Sequence, residues 1–252
     1  MPIRMAAAAI PVIKDPSQAS RTLERHIEAA RKRNCTLIIF PEAIIGGLDI
    51  SGDFALDKHM AMELDSPVID EIRGLAAKHS TGIGFGFLEL HGEVIYNSYL
   101  LVNDKGATEL HYRRISDTWL PYDIDLSHYS CGDEIPVLET SYGRLGVILC
   151  GDLFDEGIVK RLGDGKPEVA LHPMARAFPL SDDIQKQWDD TEFPYYLAEY
   201  AKLNASVLTC NAIETDTDED SVYCGGAWHI KGNKVAASLP LLTEGILVVD
   251  IR

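Results

Sequence analysis

Cys150 lies at the centre of the stretch SYGRLGVILCGDLFDE, Ser141 to Glu156, between the branched apolar run Leu145 to Leu149 and the break Gly151-Asp152. The run reads as a buried strand opened by the turn signal Gly143-Arg144, which places the thiol at a strand-to-turn junction. There it is rigid from behind and reachable from in front, and backbone N–H groups after the turn can lower its pKa or receive an oxyanion. A free cysteine at a strand end is also a common core residue, so its reading depends on what the rest of the chain brings. Glu42 follows the apolar run Thr36 to Phe40 and Pro41, a position open to a base and to an ordinary solvated loop carboxylate alike. Arg113 and Arg114 close a mid-chain hairpin. His172 ends the predicted strand Val169 to Leu171, where it would either pair with the thiol or hydrogen-bond in a pocket wall.

The elements that must position these groups follow from periodicity. Strands are predicted at Ile3 to Ile10, Thr36 to Phe40, Thr81 to Leu90, Val94 to Val102, Ala107 to Arg113, Ser206 to Asn211, Gly226 to Ile230, Lys234 to Ser238 and Ile246 to Ile251. Helices are predicted at about Ser20 to Arg33, from the N-cap and first-turn pair Ser66-Pro67 to about His79, at about Phe154 to Leu162, and at Gln187 to Asn204 with Pro194 in its early part. The glycine-spaced run Gly82, Gly84, Gly86 lacks the helix-opening context of a phosphate loop and reads as a strand with close backbone packing. Ala43 to Leu64 and Arg114 to Pro136 are long irregular stretches of the kind that line clefts, and Trp119, Tyr122 and Trp188 are candidate pocket walls. No internal repeat is visible, and strands alternating with helices imply packed sheets with helices outside.

Composition excludes several classes of function. The chain has 252 residues, 46% of them apolar, enough for one large core, and no linker divides it, so residues 1–252 are read as one domain. A net charge of −16 opposes a phosphate backbone or an anionic lipid surface. The basic cluster Arg31-Lys32-Arg33 ends a helix, where cations complement the dipole without a ligand. Five cysteines without paired spacing favour free thiols in a reducing, cytoplasmic setting over a disulfide framework. His128 and Cys131 make only half a metal site, and the acidic run Glu214 to Asp220 fails the calcium-loop spacing, so no metal is expected. Lys14-Asp15-Pro16 is a poor cleavage context, so the opening apolar run is taken as a first strand rather than a signal peptide, and no stretch is long enough to span a bilayer.

Taken in order, Phe40-Pro41-Glu42, the strand-hairpin-strand from Tyr96-Asn97-Ser98 through Asp104-Lys105-Gly106 to Tyr112-Arg113-Arg114, Cys150-Gly151-Asp152-Leu153-Phe154 and the closing Glu244-Gly245-Ile246-Leu247 resemble the nitrilase superfamily of carbon-nitrogen hydrolases. The resemblance extends over essentially the whole chain. It implies a four-layer α-β-β-α sandwich of two mixed, mostly antiparallel sheets, commonly assembled as a homodimer or larger even homo-oligomer. It also implies thiol-dependent cleavage of a small amide, carbamoyl or nitrile substrate, with Glu42 as general base, Cys150 as nucleophile and no cofactor. The family's catalytic lysine position is held by Arg114, which supplies charge and two N–H donors but is longer, planar and no proton donor. The oxyanion would lie between Arg114 and a backbone N–H near Gly151. By the same resemblance Asp125 takes the place of a second family glutamate, so that a longer cation would meet a shorter anion. The alternative is a binding or scaffolding member that keeps the fold without turnover.

Overall fold

The computed structural model describes residues 3–214 and 221–251, so most of the acidic run from Glu214 to Asp220 lies outside the described residues. Its strands in chain order are β1 (Arg4–Ala9), β2 (Leu37–Ile39), β3 (Gly82–His91), β4 (Val94–Val102), β5 (Thr108–Arg113), β6 (Val137–Thr140), β7 (Gly143–Val147) and β8 (Val169–Met174). They continue with β9 (Ala177–Pro179), β10 (Ser206–Asn211), β11 (Ile213–Glu214), β12 (Ser221–Cys224), β13 (Ala227–Lys231), β14 (Lys234–Leu239) and β15 (Gly245–Asp250). The helices are α1 (Ala19–Lys32), α2 (Phe54–Asp57), α3 (Pro67–His79), α4 (Glu156–Asp164), α5 (Ile184–Gln187) and α6 (Phe193–Tyr200).

Alternation along the strands sets the layers. In β1, Ala6 and Ala8 pack under α1 and α3 with Leu23, Ile27, Ile69 and Ile72, while Met5 and Ala7 face the opposite way. That second face meets Leu145, Val147, Leu171 and Leu208 of another sheet, whose far side packs Ala170 and Val207 against Ile158, Leu162, Tyr196 and Tyr200. The layers are therefore helix, sheet, sheet, helix. Each sheet is mixed and six-stranded, ordered β15-β1-β2-β3-β4-β5 and β14-β13-β10-β8-β7-β6, and a small third sheet, β11-β12-β9, lies beside them.

A topological repeat underlies this, although the sequence shows none. From β15 to β5 the pairings run antiparallel, parallel, parallel, antiparallel, antiparallel. From β6 to β14 they run in the same series. The chain leaving β2 and the chain leaving β8 thus stand at equivalent corners of the two sheets. Glu42 is on the first and Ala175 on the second.

Three local departures from the sequence reading bear on the site. The strand expected to end before His172-Pro173 continues to Met174. Pro173 is tolerated because β7 stops at Val147, opposite Leu171, so no strand lies where its missing N–H would have donated. The helix expected over Gln187 to Asn204 is broken into α5, a π turn at Trp188–Glu192, α6 and a 3-10 turn at Ala201–Leu203. Pro194 lacks the N–H that a regular helix would use, and the wide turn ahead of it absorbs the ring. Ser66 takes the N-cap of α3 with an extended backbone, but its hydroxyl makes no capping bond.

Candidate active site

Cys150 is held at a sharp corner. Its φ of 38° is a left-handed conformation for a residue with a side chain, a strain of order 1–3 kcal/mol that the surroundings must hold. Two groups do so. Asp152, fully buried, accepts from the N–H of Leu149 at 3.0 Å and from the Tyr112 hydroxyl at 2.6 Å on one oxygen, and from the N–H of Ser116 at 2.8 Å on the other. His172, also fully buried, donates from Nε2 to the Cys150 carbonyl at 2.9 Å, and its Nδ1 accepts from the Tyr200 hydroxyl at 2.6 Å. Burial lowers His172 to about 4, so the ring is neutral at physiological pH, and both its nitrogens are occupied. The histidine therefore braces the backbone of the cysteine through its carbonyl.

Glu42 is brought in from the corner after β2. Gly86 of β3 makes this possible, since a Cβ there would stand 2.4 Å from the Ala43 nitrogen and 2.7 Å from the Glu42 Cα. The carboxylate is wholly buried and fully hydrogen-bonded, as a buried charge must be. One oxygen accepts from Arg114 Nη1 at 2.8 Å and Asn97 Nδ2 at 2.9 Å, the other from the Ala175 N–H at 2.9 Å.

Arg114 follows β5, and strand alternation separates it from its neighbour. Arg113 turns outward to pair with Glu89 and lie over the Tyr96 ring, whereas Arg114 turns in and is 3% exposed. Its Nε donates to Ser116 Oγ at 3.0 Å and its Nη2 to Thr118 Oγ1. Burial disfavours the guanidinium charge, but Glu42 together with the neighbouring Cys150 and Asp152 outweighs this and holds Arg114 above its ordinary value. Gly151 makes room for the fork, because a Cβ would lie 2.4 Å from both Arg114 Nη2 and Thr118 Oγ1.

The thiol shares this field. Burial first, then the charge of Glu42, pushes Cys150 up to about 12, against the opposing pull of Arg114 and of the Ala175 N–H. A group of that kind rests as a neutral thiol beside a carboxylate and a cation. Cys150, Gly151, Arg114 and Ala175 open into a cavity of about 490 Å³ walled by Leu48, Trp119, Phe154, Tyr196 and Tyr223. The cation and the thiol therefore line one opening, and the buried acid lies behind them on Arg114.

Of the residues singled out from sequence, Glu42, Arg114, Cys150, Gly151, His172 and Trp119 are gathered here. Asp125 is not. It is exposed, caps the turn to Ser127 at 3.0 Å, and the anion that meets Arg114 is Glu42. The loop from Arg114 to Pro136 carries its own turns, so counting along it does not give the position of its tip. Trp188 is no pocket wall, being stacked in the core on Trp228 and Phe193, and Tyr122 lines a separate cavity with Leu120, Ile124 and Tyr129. The sequence reading missed the supporting roles of Asn97, Tyr112 and Asp152, although all three lie inside the motifs that drew attention. Ala175, Arg176 and Glu192 carried no signal, because only the fold turns them toward the cavity.

Comparison with known proteins agrees with this architecture. Residues 4–252 match the carbon-nitrogen hydrolase family, and the chain belongs to it. Among curated relatives, a probable nitrilase of Schizosaccharomyces pombe is 33% identical over 119 residues, covering 46% of this chain and 42% of that protein. A bromoxynil-specific nitrilase of Klebsiella pneumoniae subsp. ozaenae is 26% identical over 160 residues, 58% of this chain and 44% of the relative. The matched segments thus span less than half of either relative. Among solved structures, a carbon-nitrogen hydrolase of Helicobacter pylori G27 superposes with a TM-score of 0.82 at 15% identity, covering 99% of this chain and 89% of that one. An amidase of Nesterenkonia sp. gives 0.78 at 17% identity, with 98% and 89% covered.

Proposed function

We propose that the protein is a thiol hydrolase of a non-peptide C–N bond in a small amide, carbamoyl compound or nitrile. One observation supports this above the others: a fully buried carboxylate, ion-paired to an almost fully buried guanidinium, stands beside a cysteine that opens into a cavity. Buried charges are costly to hold, and this pair lies where reacting charge would develop.

In this reading the thiol is not pre-ionised. At a pKa of about 12 only on the order of 10⁻⁵ of it would be thiolate at pH 7, so the proton leaves as the S–C bond forms. Glu42 takes that proton, and the carbonyl oxygen becomes negative against Arg114 and the backbone at Gly151. The C–N bond then breaks as Glu42 returns the proton to the departing amine, leaving a thioester. Water, deprotonated by Glu42, attacks the thioester, and the acid and the free thiol are regenerated. For a nitrile the same attack gives a thioimidate that water opens first. The scheme uses no metal or organic cofactor.

Ammonia release from a panel of primary amides and nitriles tests the reading, with Cys150→Ala and Glu42→Gln as controls. Release lost in both supports it, whereas release kept in Glu42→Gln rejects the base. A folded protein that releases nothing from any substrate leaves a scaffolding member of the family. A Glu-to-Gln mutant of the amidase from Nesterenkonia sp. AN1 shows Michael addition of acrylamide at its active-site cysteine, and the same reagent should mark Cys150 in a peptide mass map of the Glu42→Gln variant. The reading also includes a homodimer or larger even assembly, open to light scattering, in a reducing cytoplasmic compartment, for which the five unpaired thiols speak. Among the described residues no helix is long and apolar enough to cross a membrane.

A further inference from the structure

A second cation lines the cavity without a part in the chemistry above. Arg176 directly follows Ala175, whose N–H supports Glu42, so the segment that completes the base also delivers a guanidinium to the cavity wall. Its backbone is pinned on both sides by the fully buried Asn211, which accepts from the Arg176 N–H at 2.8 Å and donates to its carbonyl at 3.0 Å. The side chain is 41% exposed and gives Nη2 to Glu192 Oε2 at 3.0 Å. Glu192 in turn closes the π turn ahead of Pro194, an irregularity that turns its carboxylate toward the same opening. Arg176 and Cys150 line the same cavity.

Glu192 and the Tyr196 hydroxyl take up part of a guanidinium that carries five N–H donors, and the rest face the cavity. A half-exposed pair of this kind contributes little to stability, while a buried amide fixes the backbone from which its cation projects. A substrate that fills the cavity strips water from the remaining edge. If its far end is apolar, that edge is left without a partner; if it brings an acceptor, charge-assisted bonds replace the water. A doubly charged phosphate would be repelled by Glu192, whereas a single carboxylate fits the free edge. We propose that Arg176 is a carboxylate subsite, so that the substrate is a small amide or carbamoyl compound carrying a carboxylate beyond the reacting carbon. This rests on the hydrolase reading above and names its substrate class.

Succinamate and butyramide differ chiefly in that carboxylate, and glutaramate extends it by one carbon. Calorimetric binding to Cys150→Ala reads the subsite without turnover, and kcat/KM of the wild type reads it with turnover. Tighter binding of succinamate or glutaramate by tenfold or more, removed by adding Arg176→Gln and partly restored by Arg176→Lys, supports the subsite. In turnover the same substitution should reduce the carboxylate-to-neutral ratio by tenfold or more, chiefly through KM. Equal binding of the acidic and neutral amides, or a ratio unchanged by Arg176→Gln, overturns the subsite while neutral-amide hydrolysis leaves the hydrolase reading intact. Selective binding without ammonia release would reject the hydrolase and keep the subsite.

Discussion

Arg114 Nη1 donates to Glu42 Oε1 across 2.8 Å, and the two side chains are 3% and 0% exposed. Arg114→Gln should leave that carboxylate without its countercharge and cost about 3–5 kcal/mol of stability. On the hydrolase reading proposed above, turnover should fall by about 10²–10³, the usual loss for an oxyanion donor. Arg114→Lys restores the charge but cannot reach Glu42, Ser116 and Thr118 together, and it should recover stability more than kcat. Denaturant melts and steady-state kinetics on the same preparations check both. An arginine variant as stable as the wild type would contradict the pairing.

Gly151 and Arg114 should behave as one unit. A Cβ at position 151 would meet Arg114 Nη2 at 2.4 Å, so Gly151→Ala must displace the guanidinium. An activity loss of about tenfold or more is expected. Because lysine lacks the fork, the same alanine should cost far less in an Arg114→Lys background, an interaction visible in a double-mutant cycle. Additive effects would mean that the glycine serves only the turn.

The buttress of Cys150 is open to a conservative test. Asp152→Asn replaces an oxygen that accepts from Leu149 and Tyr112, or the one that accepts from Ser116, by a group that donates. A cost of about 1–3 kcal/mol is expected for the unsatisfied buried donor. Tyr112→Phe should cost less, since two acceptor contacts of Asp152 remain. Both should lower kcat more than they raise KM if Cys150 is the nucleophile proposed above, because the carboxylate supports its backbone and does not line the cavity.

Acid should destabilise the protein through His172. Its folded pKa, lowered by burial to about 4, lies below the 6.5 of the unfolded chain. The unfolded state therefore binds more protons between those values, and stability present above pH 6.5 is lost as pH falls toward 4. The contribution is on the order of 3 kcal/mol for a shift of this size. His26 and His229, also lowered by burial, act in the same direction. Stability against pH for His172→Gln should be flatter across this window, with kcat reduced but no new pKa in the activity profile. An activity profile that lost a limb near pH 6 would instead make the histidine a base.

Much of the architecture was legible because it depends on short-range rules. The continuous apolar run of β1 declares a strand buried on both faces, the 3.6-residue spacing of Leu23, Ile27 and Ala30 declares one buried face within a few residues, and the corners after β2 and β7 are marked by Pro41 and Gly151. Glu42, Arg114 and Cys150 could be named from those marks and from motif order. Their mutual contact could not, nor could the topological repeat that places the chain after β2 opposite the chain after β8, since the two halves share pairing order rather than residues.

What the sequence alone determined is the longer strands, though not β6, β9, β11 or β12, most of the helices and the acid, cation and thiol placed at strand ends. What only the tertiary structure decided is which charges meet. Asp125 drew notice as the partner of Arg114 and caps an exposed turn, whereas Glu42 arrives from 72 residues away. Arg176 and Glu192 look like surface charges and line the cavity, and His172 looks like a base and holds a carbonyl. Backbone sterics and hydrophobic alternation act between near neighbours and leave their record in the order of residues. A side chain's electrostatic partner depends on how two sheets stack and where distant loops end, and no local pattern carries that information.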